Sequence, residues 1–291
     1  MKDEIAILAE DREHGASELA RRSLALLANR AQTSPATSCG GLITELNLIA
    51  NRLRQTRPSM APVQNLVGRW QSLLVCLPQE EVASLRPKIV ALAQQLQDQS
   101  QQAVTAIARQ TAALVGRSAT VMTHSLSSTV VASFKILKEQ GVNAVVTESR
   151  PLQEGYRLAR QLSAWGIATT LITDAQMGLF VGKAKAIVVG ADTLLNDGSV
   201  INKAGTLLLA LAARRQNIPF YVASETFKRV SASPAQAHLE EKGPEELALE
   251  PQPGITLRNI YFDITPPDLI SAYITEQGVY RQASELPFFT I

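Results

Sequence analysis

The sequence predicts an α/β protein with an N-terminal helical domain, residues 1–115, and a second domain, residues 116–291, built on a doubly wound parallel sheet. Residues 1 to about 115 carry apolar side chains at helical spacing with few helix breakers. From Ala119 onward, short apolar runs alternate with helical segments, which is the pattern of strand–helix–strand units in a parallel sheet. At 291 residues the chain is long enough for two such domains.

Four helices are predicted in the first domain. The first carries leucines at roughly helical spacing, and the last is rich in Ala, Gln, Leu and Val with only one internal breaker, Pro87. The predicted helices are Glu18–Arg30, Leu42–Leu53, Val63–Leu77 and Gln79–Val115.

Six strands are predicted in the second domain, with helices in most of the gaps between them. Each is a short apolar run that is bounded by turn-forming residues. The predicted strands are Ala119–Thr123, Ala144–Thr147, Thr169–Thr173, Ala186–Val189, Phe220–Ala223 and Tyr261–Ile264.

Composition narrows the functional class. The net charge is only +2, and no basic block indicates direct nucleic-acid binding. The two cysteines, Cys39 and Cys76, fit a reducing compartment, and we expect Cys76 to lie in the helical core. No apolar segment follows Met1–Glu4 as in a signal peptide, and no run approaches the ~20 residues of a membrane span. The sequence therefore predicts a cytoplasmic protein with no membrane partner and no cofactor.

Polar residues follow four of the predicted strands. His124 and Ser125 come after the first strand, Arg150 after the second, Asp174 after the third and Asp192 after the fourth. Each alone is common in turns and helix caps, and Asp174 fits a structural cap. In an open parallel sheet, however, ligands bind outside the carboxyl ends of the strands. The set predicts a site for a small anionic ligand, with no spacing typical of a metal site among the histidines.

The segment after Asp192 strengthens this prediction. Asn202, Lys203, Gly205 and Thr206 lead into the apolar run Leu207–Ala213, so polar donors precede a predicted helix. The free N–H groups and the positive dipole of a helix N-terminus suit an anion such as phosphate. We expect phosphate to bind there.

Several motifs resemble one protein family along nearly the whole chain. GADTLLNDGSVINKAGT, followed by IPFYVASETFK, is similar to the signature shared by the alpha, beta and delta subunits of translation initiation factor 2B and two sugar-phosphate isomerases. Those enzymes are methylthioribose-1-phosphate isomerase and ribose-1,5-bisphosphate isomerase. Further similar segments are TRPSMAPVQN, VMTHSLSSTVV, VVTESRPLQEG, TLITDA and NIYFDITPPDLISAYITEQG. The resemblance implies a helical domain followed by a Rossmann-like domain that binds a phosphosugar or nucleotide and dimerises.

The resemblance assigns the acid–base pair of the isomerases to a cysteine and an aspartate. The aspartate matches Asp192, but Ser125 stands at the cysteine position. A thiol has a pKa near ~8.5 and can exchange protons at neutral pH, whereas a serine hydroxyl is a much weaker acid. A second departure is His14, where the isomerases carry an arginine that helps to hold phosphate.

Other matching positions retain the family's residues. The resemblance implies phosphate contacts for Arg57 and Arg150 and sugar contacts for Asn202 and Lys203. We also expect His124, in the loop of Ser125, to bind the ligand.

Two functions follow as expectations. One is a non-catalytic, initiation factor 2B-like subunit that binds a sugar phosphate or nucleotide, forms a homodimer or larger homo-oligomer, and acts on a GTP-binding initiation factor. The other is an aldose–ketose isomerase of a phosphorylated pentose, with Asp192 and Ser125 as its catalytic pair. We favour the first because the substitution falls on the residue that the chemistry most needs.

Overall fold

The computed structural model of the chain describes residues 4–78, 80–249 and 252–287. Met1–Asp3, which enter the signal-peptide prediction, and Gln79, where the fourth helix was expected to begin, lie outside these residues. Two compact units divide the chain between Ala103 and Val104. The predicted limits, 1–115 and 116–291, place the whole of the last helix in the first domain, whereas this division assigns parts of it to both units.

The first unit is helical. Its helices are α1 (Glu4–Glu10), α2 (Ala16–Thr33), α3 (Cys39–Arg54), α4 (Ala61–Val75) and the first part of α5 (Val82–Val115). Leu24, Leu46 and Trp70 are fully buried, one each from α2, α3 and α4. The helix starts follow local chemistry, because the Ser38 side chain accepts the Gly41 N–H at the start of α3 and Pro62 occupies the first turn of α4. All four predicted helices are present.

The second unit is an α/β structure. Its strands are β1 (Thr120–Thr123), β2 (Asn143–Thr147), β3 (Thr169–Ile172), β4 (Ala186–Val189), β5 (Thr193–Leu194), β6 (Val200–Lys203), β7 (Phe220–Ala223), β8 (Phe262–Thr265), β9 (Ala272–Thr275) and β10 (Gly278–Tyr280). Its helices, after the end of α5, are α6 (Ser128–Leu137), α7 (Glu154–Ala164), α8 (Met177–Phe180) and α9 (Thr206–Arg215).

Among the described residues, seven strands form the main sheet in the order β10-β9-β7-β4-β1-β2-β3. All neighbours pair in parallel except β9 and β10, which form an antiparallel hairpin at one edge. The chain adds β2 and β3 on one side of β1 and then β4, β7 and β9 on the other. The strand order therefore reverses between β1 and β4, and this is the topological switch point where ligands bind in such sheets.

Both faces of the main sheet are covered by apolar side chains. Val121 and Val188 pack with Phe134 of α6 and Leu158 of α7 on one face. The adjacent Met122 and Ile187 point the other way and pack with Leu209 of α9. Neighbouring residues on each strand thus serve opposite faces, as the pleat requires. The α/β class predicted from the sequence is confirmed, and no helix among the described residues is long and apolar enough to cross a membrane.

A small antiparallel sheet, β5-β6-β8, was not predicted. The sixth predicted strand lies here as β8 and not in the parallel sheet. Its partner β6 carries Asn202 and Lys203, which therefore lie on a strand, with Asn202 opposite Asp263 and Lys203 opposite Phe262. The sixth parallel position is taken instead by β9, beside β7.

We expect Gly155→Ala to destabilise the second unit strongly. A Cβ atom at Gly155, in the first turn of α7, would overlap the carbonyl oxygen of Thr147 at the end of β2. A backbone oxygen cannot swing away as a flexible side chain can, so the cost should reach at least about 1–3 kcal/mol. Urea unfolding measures this change. The control is Gly178→Ala, because a Cβ there meets no atom within 4 Å, and equal effects of the two substitutions would contradict the expectation.

Candidate functional site

The loops that follow β1 and β4 approach each other closely at the switch point. The loop after β1 carries His124 and Ser125, and the loop after β4 carries Asp192. A Cβ atom on Gly190 would overlap the Ser127 hydroxyl, so glycine is needed where these loops meet. The fold thus brings Ser125 and Asp192 to either side of the switch point.

Six predicted site residues lie in the second unit, and we call them the strand-end cluster: His124, Ser125, Arg150, Asp192, Asn202 and Lys203. The seventh, Arg57, lies in the helical unit between α3 and α4. Arg57 is buried, and its Nη1 donates to the Asp11 carbonyl oxygen at 2.7 Å. His14 meets the carboxylate of the same Asp11, with 2.8 Å between Nδ1 and Oδ2. Two positions that the resemblance links to phosphate therefore share one neighbour.

His124 and Ser125 are bound to the end of β2 through buried polar groups. The Ser125 N–H donates to the Ser149 hydroxyl at 2.8 Å, and His124 Nδ1 lies 2.6 Å from the Thr147 hydroxyl. Ser125 and Ser149 both have left-handed backbone conformations, with φ of 67° and 62°. Such angles are uncommon for residues other than glycine and frequently occur at functional sites.

Asp174, which follows β3, binds the backbone at Arg150, which follows β2. Both carboxylate oxygens of Asp174 accept backbone N–H groups, from Ser149 and Arg150, at 2.8 Å each. This agrees with the predicted structural role of Asp174. The Arg150 side chain is exposed, and its Nη2 donates to the Leu247 carbonyl oxygen at 2.9 Å. That bond uses part of the guanidinium group that was predicted to hold phosphate.

Lys203 is buried beside a carboxylate that the sequence analysis did not single out. Its Nζ lies 2.9 Å from Glu154 Oε1, and only 7% of the Lys203 side chain is exposed. The same ammonium group lies over the Tyr261 ring, 4.3 Å from the centroid. On the preceding residue, the Asn202 amide donates to the Thr206 hydroxyl at 3.0 Å. Both predicted sugar-binding residues are thus held in one position by protein groups.

The side chain of Asp263, which lies on β8, binds the N-terminus of α9. Its Oδ2 accepts the N–H groups of Gly205 at 2.7 Å and Leu207 at 3.1 Å. The prediction of free N–H groups for phosphate at this helix end is therefore wrong for these two donors, because the chain supplies its own anion. Burial raises the pKa of Asp263 to about 6 even though the helix N–H groups act to lower it. Its Oδ1 is buried and has no hydrogen-bond partner among the described residues.

A second buried ion pair supports the Asp192 loop. Glu225 and Lys228, just after β7, are almost fully buried, and their charged atoms lie 2.9 Å apart. Lys228 Nζ also donates to the Ala191 carbonyl oxygen at 2.7 Å, and the Asp192 N–H donates to the Ile201 carbonyl oxygen at 2.9 Å. These bonds fix the backbone on which Asp192 lies.

The sequence analysis missed Glu154, Asp263 and the Glu225–Lys228 pair as parts of the site. All lie within motifs that carried the family resemblance, in the segments QEG, FDITPP and SETFK. An acidic residue between Phe262 and Ile264 in a predicted strand was the available signal. The expectation for Cys76 was wrong, because it is exposed at the end of α4, where its Sγ donates to the Ser72 carbonyl oxygen.

This geometry defines a class: an α/β protein with charged and polar residues at the switch point of a mostly parallel sheet, preceded in the chain by a helical unit. Residues 12–282 match the model of the initiation factor 2 subunit family. A putative translation initiation factor eIF-2B subunit 2-like protein from Pyrococcus abyssi is 35% identical over 92% of each chain. A ribose 1,5-bisphosphate isomerase from Haloterrigena turkmenica is 31% identical over 96% of this chain and 88% of the isomerase.

A solved structure supports the same assignment. The translation initiation factor eIF-2B of Pyrococcus horikoshii OT3 superposes with a TM-score of 0.85 at 32% identity, over 97% of both chains. The chain belongs to the initiation factor 2 subunit family. The resemblance inferred from the motifs is therefore confirmed, and the family's relatives include both initiation-factor-like proteins and isomerases.

The raised pKa of Asp263 leads to a prediction for Asp263→Asn. Between the ordinary pKa of 3.8 and the folded value of about 6, the folded protein holds a proton that the unfolded chain releases. The stability from this group is present below the lower value and is lost as the pH rises through the upper one. Relative to wild type, Asp263→Asn should therefore gain free energy of unfolding between about pH 4 and pH 7.

Urea unfolding of both proteins across this pH range measures the difference. Asp268→Asn, at an exposed position just after β8, is the control for the loss of a carboxylate. A stability difference between Asp263→Asn and wild type that stays constant with pH would contradict the expected shift.

Proposed function

We propose that this protein is a regulatory, initiation factor 2B-like subunit that binds a sugar phosphate or a nucleotide at the strand-end cluster without converting it. The observation that carries the proposal is Ser125 at the position where the isomerases place a thiol. Both cysteines of the chain lie in the helical unit. Cys39 Sγ contacts the Glu80 carbonyl oxygen, and Cys76 Sγ donates to the Ser72 carbonyl oxygen. Neither replaces the thiol within the second unit.

The second candidate function is isomerisation of a phosphorylated pentose of the ribose 1,5-bisphosphate or methylthioribose 1-phosphate type. Retention of Asp192, Asn202 and Lys203 favours it. Lys203 is a buried cation of the kind that can polarise a sugar oxygen, and Asp192 is the retained half of the acid–base pair. The reaction must move a proton between neighbouring carbons, and Ser125 is a poor partner for that transfer at neutral pH.

The proposal includes assembly. A homodimer or larger homo-oligomer in the cytoplasm, acting on a GTP-binding initiation factor, fits the names of the initiation-factor-like relatives. Leu208 and Leu211 of α9 support it, because they are 66% and 48% exposed on one helix face. Adjacent exposed leucines of this kind favour association.

We expect the wild-type protein to bind a phosphorylated sugar and not to convert it. Ribose 1,5-bisphosphate, methylthioribose 1-phosphate and adenosine 5′-monophosphate are the probes, with thermal unfolding and an isomerase assay as readouts. When the free concentration of a probe is 100 times its Kd, binding adds about 2.7 kcal/mol to the free energy of unfolding. For a chain of 291 residues that raises the Tm by about 4–5 °C.

Two variants separate the candidate functions. Ser125→Cys restores the thiol, and Asp192→Asn removes the carboxylate while keeping its size. Turnover by wild type that disappears in Asp192→Asn would replace the regulatory proposal with an isomerase that lacks the thiol. Turnover only in Ser125→Cys would support the regulatory proposal, and the absence of any thermal shift with all three probes would refute ligand binding.

A further inference from the structure

A line of buried hydrogen bonds runs from the Ser125 loop to the start of α9. The Ser125 N–H donates to Ser149 Oγ at 2.8 Å, and Ser149 Oγ lies 3.0 Å from Thr147 Oγ1. Thr147 Oγ1 lies 2.6 Å from His124 Nδ1, and His124 Nε2 lies 2.9 Å from the Ala204 carbonyl oxygen. The side chains of Thr147, Ser149 and His124 are at most 1% exposed, so water does not compete for these bonds.

The Ala204 end of this line, together with a neutral imidazole, fixes the direction of the bonds along it. A backbone N–H can only donate, and a carbonyl oxygen can only accept. His124 Nε2 must therefore carry a hydrogen, which in a neutral imidazole leaves Nδ1 as an acceptor. Thr147 then donates its one hydrogen to His124 Nδ1, so Ser149 is the donor in the 3.0 Å contact with Thr147 Oγ1. The Thr147 carbonyl oxygen, at 3.3 Å, is a second and longer acceptor for the Ser149 hydroxyl.

The surroundings of His124 favour the neutral ring. Burial lowers its pKa below the ordinary value, and this outweighs the Asp174 carboxylate, the Ala204 carbonyl and Glu154, which raise it, while Lys203 lowers it further. Asp174 comes no closer than 3.9 Å to Nδ1 and already accepts two backbone N–H groups. Burial thus selects the neutral imidazole, and the Ala204 carbonyl then places its hydrogen on Nε2.

The ends of the line are the residues whose placement matters for the site. Ser125 has a left-handed backbone, with φ of 67°. Ala204 directly follows Lys203 and precedes Gly205, where a Cβ would lie only 2.9 Å from His124 Nε2. The imidazole therefore packs against the turn that joins β6 to α9. One of its nitrogen atoms contacts Thr147 at the end of β2, and the other contacts Ala204 in this turn.

We infer that His124 is a positioning residue, which acts through Thr147 and Ser149 to hold Ser125 in register with the Lys203–Gly205 turn, and does not itself contact the ligand. This differs from the ligand-binding role that the sequence analysis predicted for His124. The inference rests on the proposed function, because the register of Ser125 and Lys203 affects affinity only if the strand-end cluster binds a ligand.

The first test reads the imidazole directly and needs no ligand. Nitrogen-15 spectra of the full chain are recorded at pH 7, and the His124 resonances are identified with the variants His14→Gln and His238→Gln. The His124 ring should be neutral, with its hydrogen on Nε2. A ring with its hydrogen on Nδ1, or a charged ring, would overturn the inference.

The second test breaks the line at a residue that is outside the predicted ligand-binding set. Thr147→Val keeps the side-chain shape but removes the hydrogen that His124 Nδ1 accepts, whereas Thr147→Ser keeps the hydroxyl. Binding of ribose 1,5-bisphosphate, measured by calorimetry well below the Tm, should weaken about 3- to 10-fold in Thr147→Val, the range for one buried hydrogen bond. Thr147→Ser should bind within about twofold of wild type.

The outcomes separate the two proposals. If Thr147→Val does not fold, Ser149→Ala breaks the line at the next bond and should weaken binding to the same extent. If wild type binds the probe, and Thr147→Val or Ser149→Ala binds it with the same affinity, the positioning role is overturned and the proposed function stands. If wild type binds none of the probes, the proposed function fails and the positioning role fails with it, whatever hydrogen position the nitrogen-15 spectrum shows.

Discussion

The parallel pairing of β1 with β4, with Val121 opposite Ala186 and Met122 opposite Ile187, determines where polar residues can gather in the second unit. These adjacent strands come from the two halves of the unit, so their following loops leave the sheet in different directions. The loops still meet closely, because Gly190 has no side chain to keep Ser127 away. A larger residue at Gly190 would push apart the loops that carry Ser125 and Asp192.

Charges near this switch point are balanced within the chain. Glu154 pairs with Lys203, Glu225 pairs with Lys228, and Asp263 and Asp174 bind backbone N–H groups. Burying an unpaired charge costs several kcal/mol, so these partners are needed for folding whether or not a ligand binds. A ligand that reaches Lys203 therefore meets an ammonium group whose charge is already balanced by Glu154.

The sequence was sufficient for the parallel strands β1, β2, β3, β4 and β7, but not for β9 or for the small sheet. β1, β2, β4 and β7 are apolar, branched runs buried on both faces, which is a strong local signal. β6 carries Asn202 and Lys203, polar residues that suggest a loop, whereas β8 was predicted as a strand of the parallel sheet. The two strands lie in the small sheet because they pair with each other across about 60 residues of chain. Local patterns do not contain that pairing.

The candidate site divides in the same way. Asp192, Ser125 and Lys203 were found because each follows or lies next to a recognisable strand end or motif. Glu154 and Asp263 were not, because their roles depend on partners that are distant in sequence: Asp263 and Gly205 are separated by 58 residues. The pKa of Asp263 is likewise a property of its burial, which composition and spacing do not report.

The retained charged residues therefore discriminate poorly between the two candidate functions. Removing Lys203 would leave the Glu154 carboxylate buried without its ion-pair partner, a change that typically costs about 3–5 kcal/mol. A protein that had lost catalysis would still be selected to keep Lys203 and Glu154 together, because burying either charge alone is costly. Ser125 is different, because its backbone N–H makes the bond to Ser149, and that bond does not depend on whether the side chain carries oxygen or sulfur. The side chain at position 125 can change at little structural cost. Its chemical identity is therefore a better guide to function than the retained charged residues.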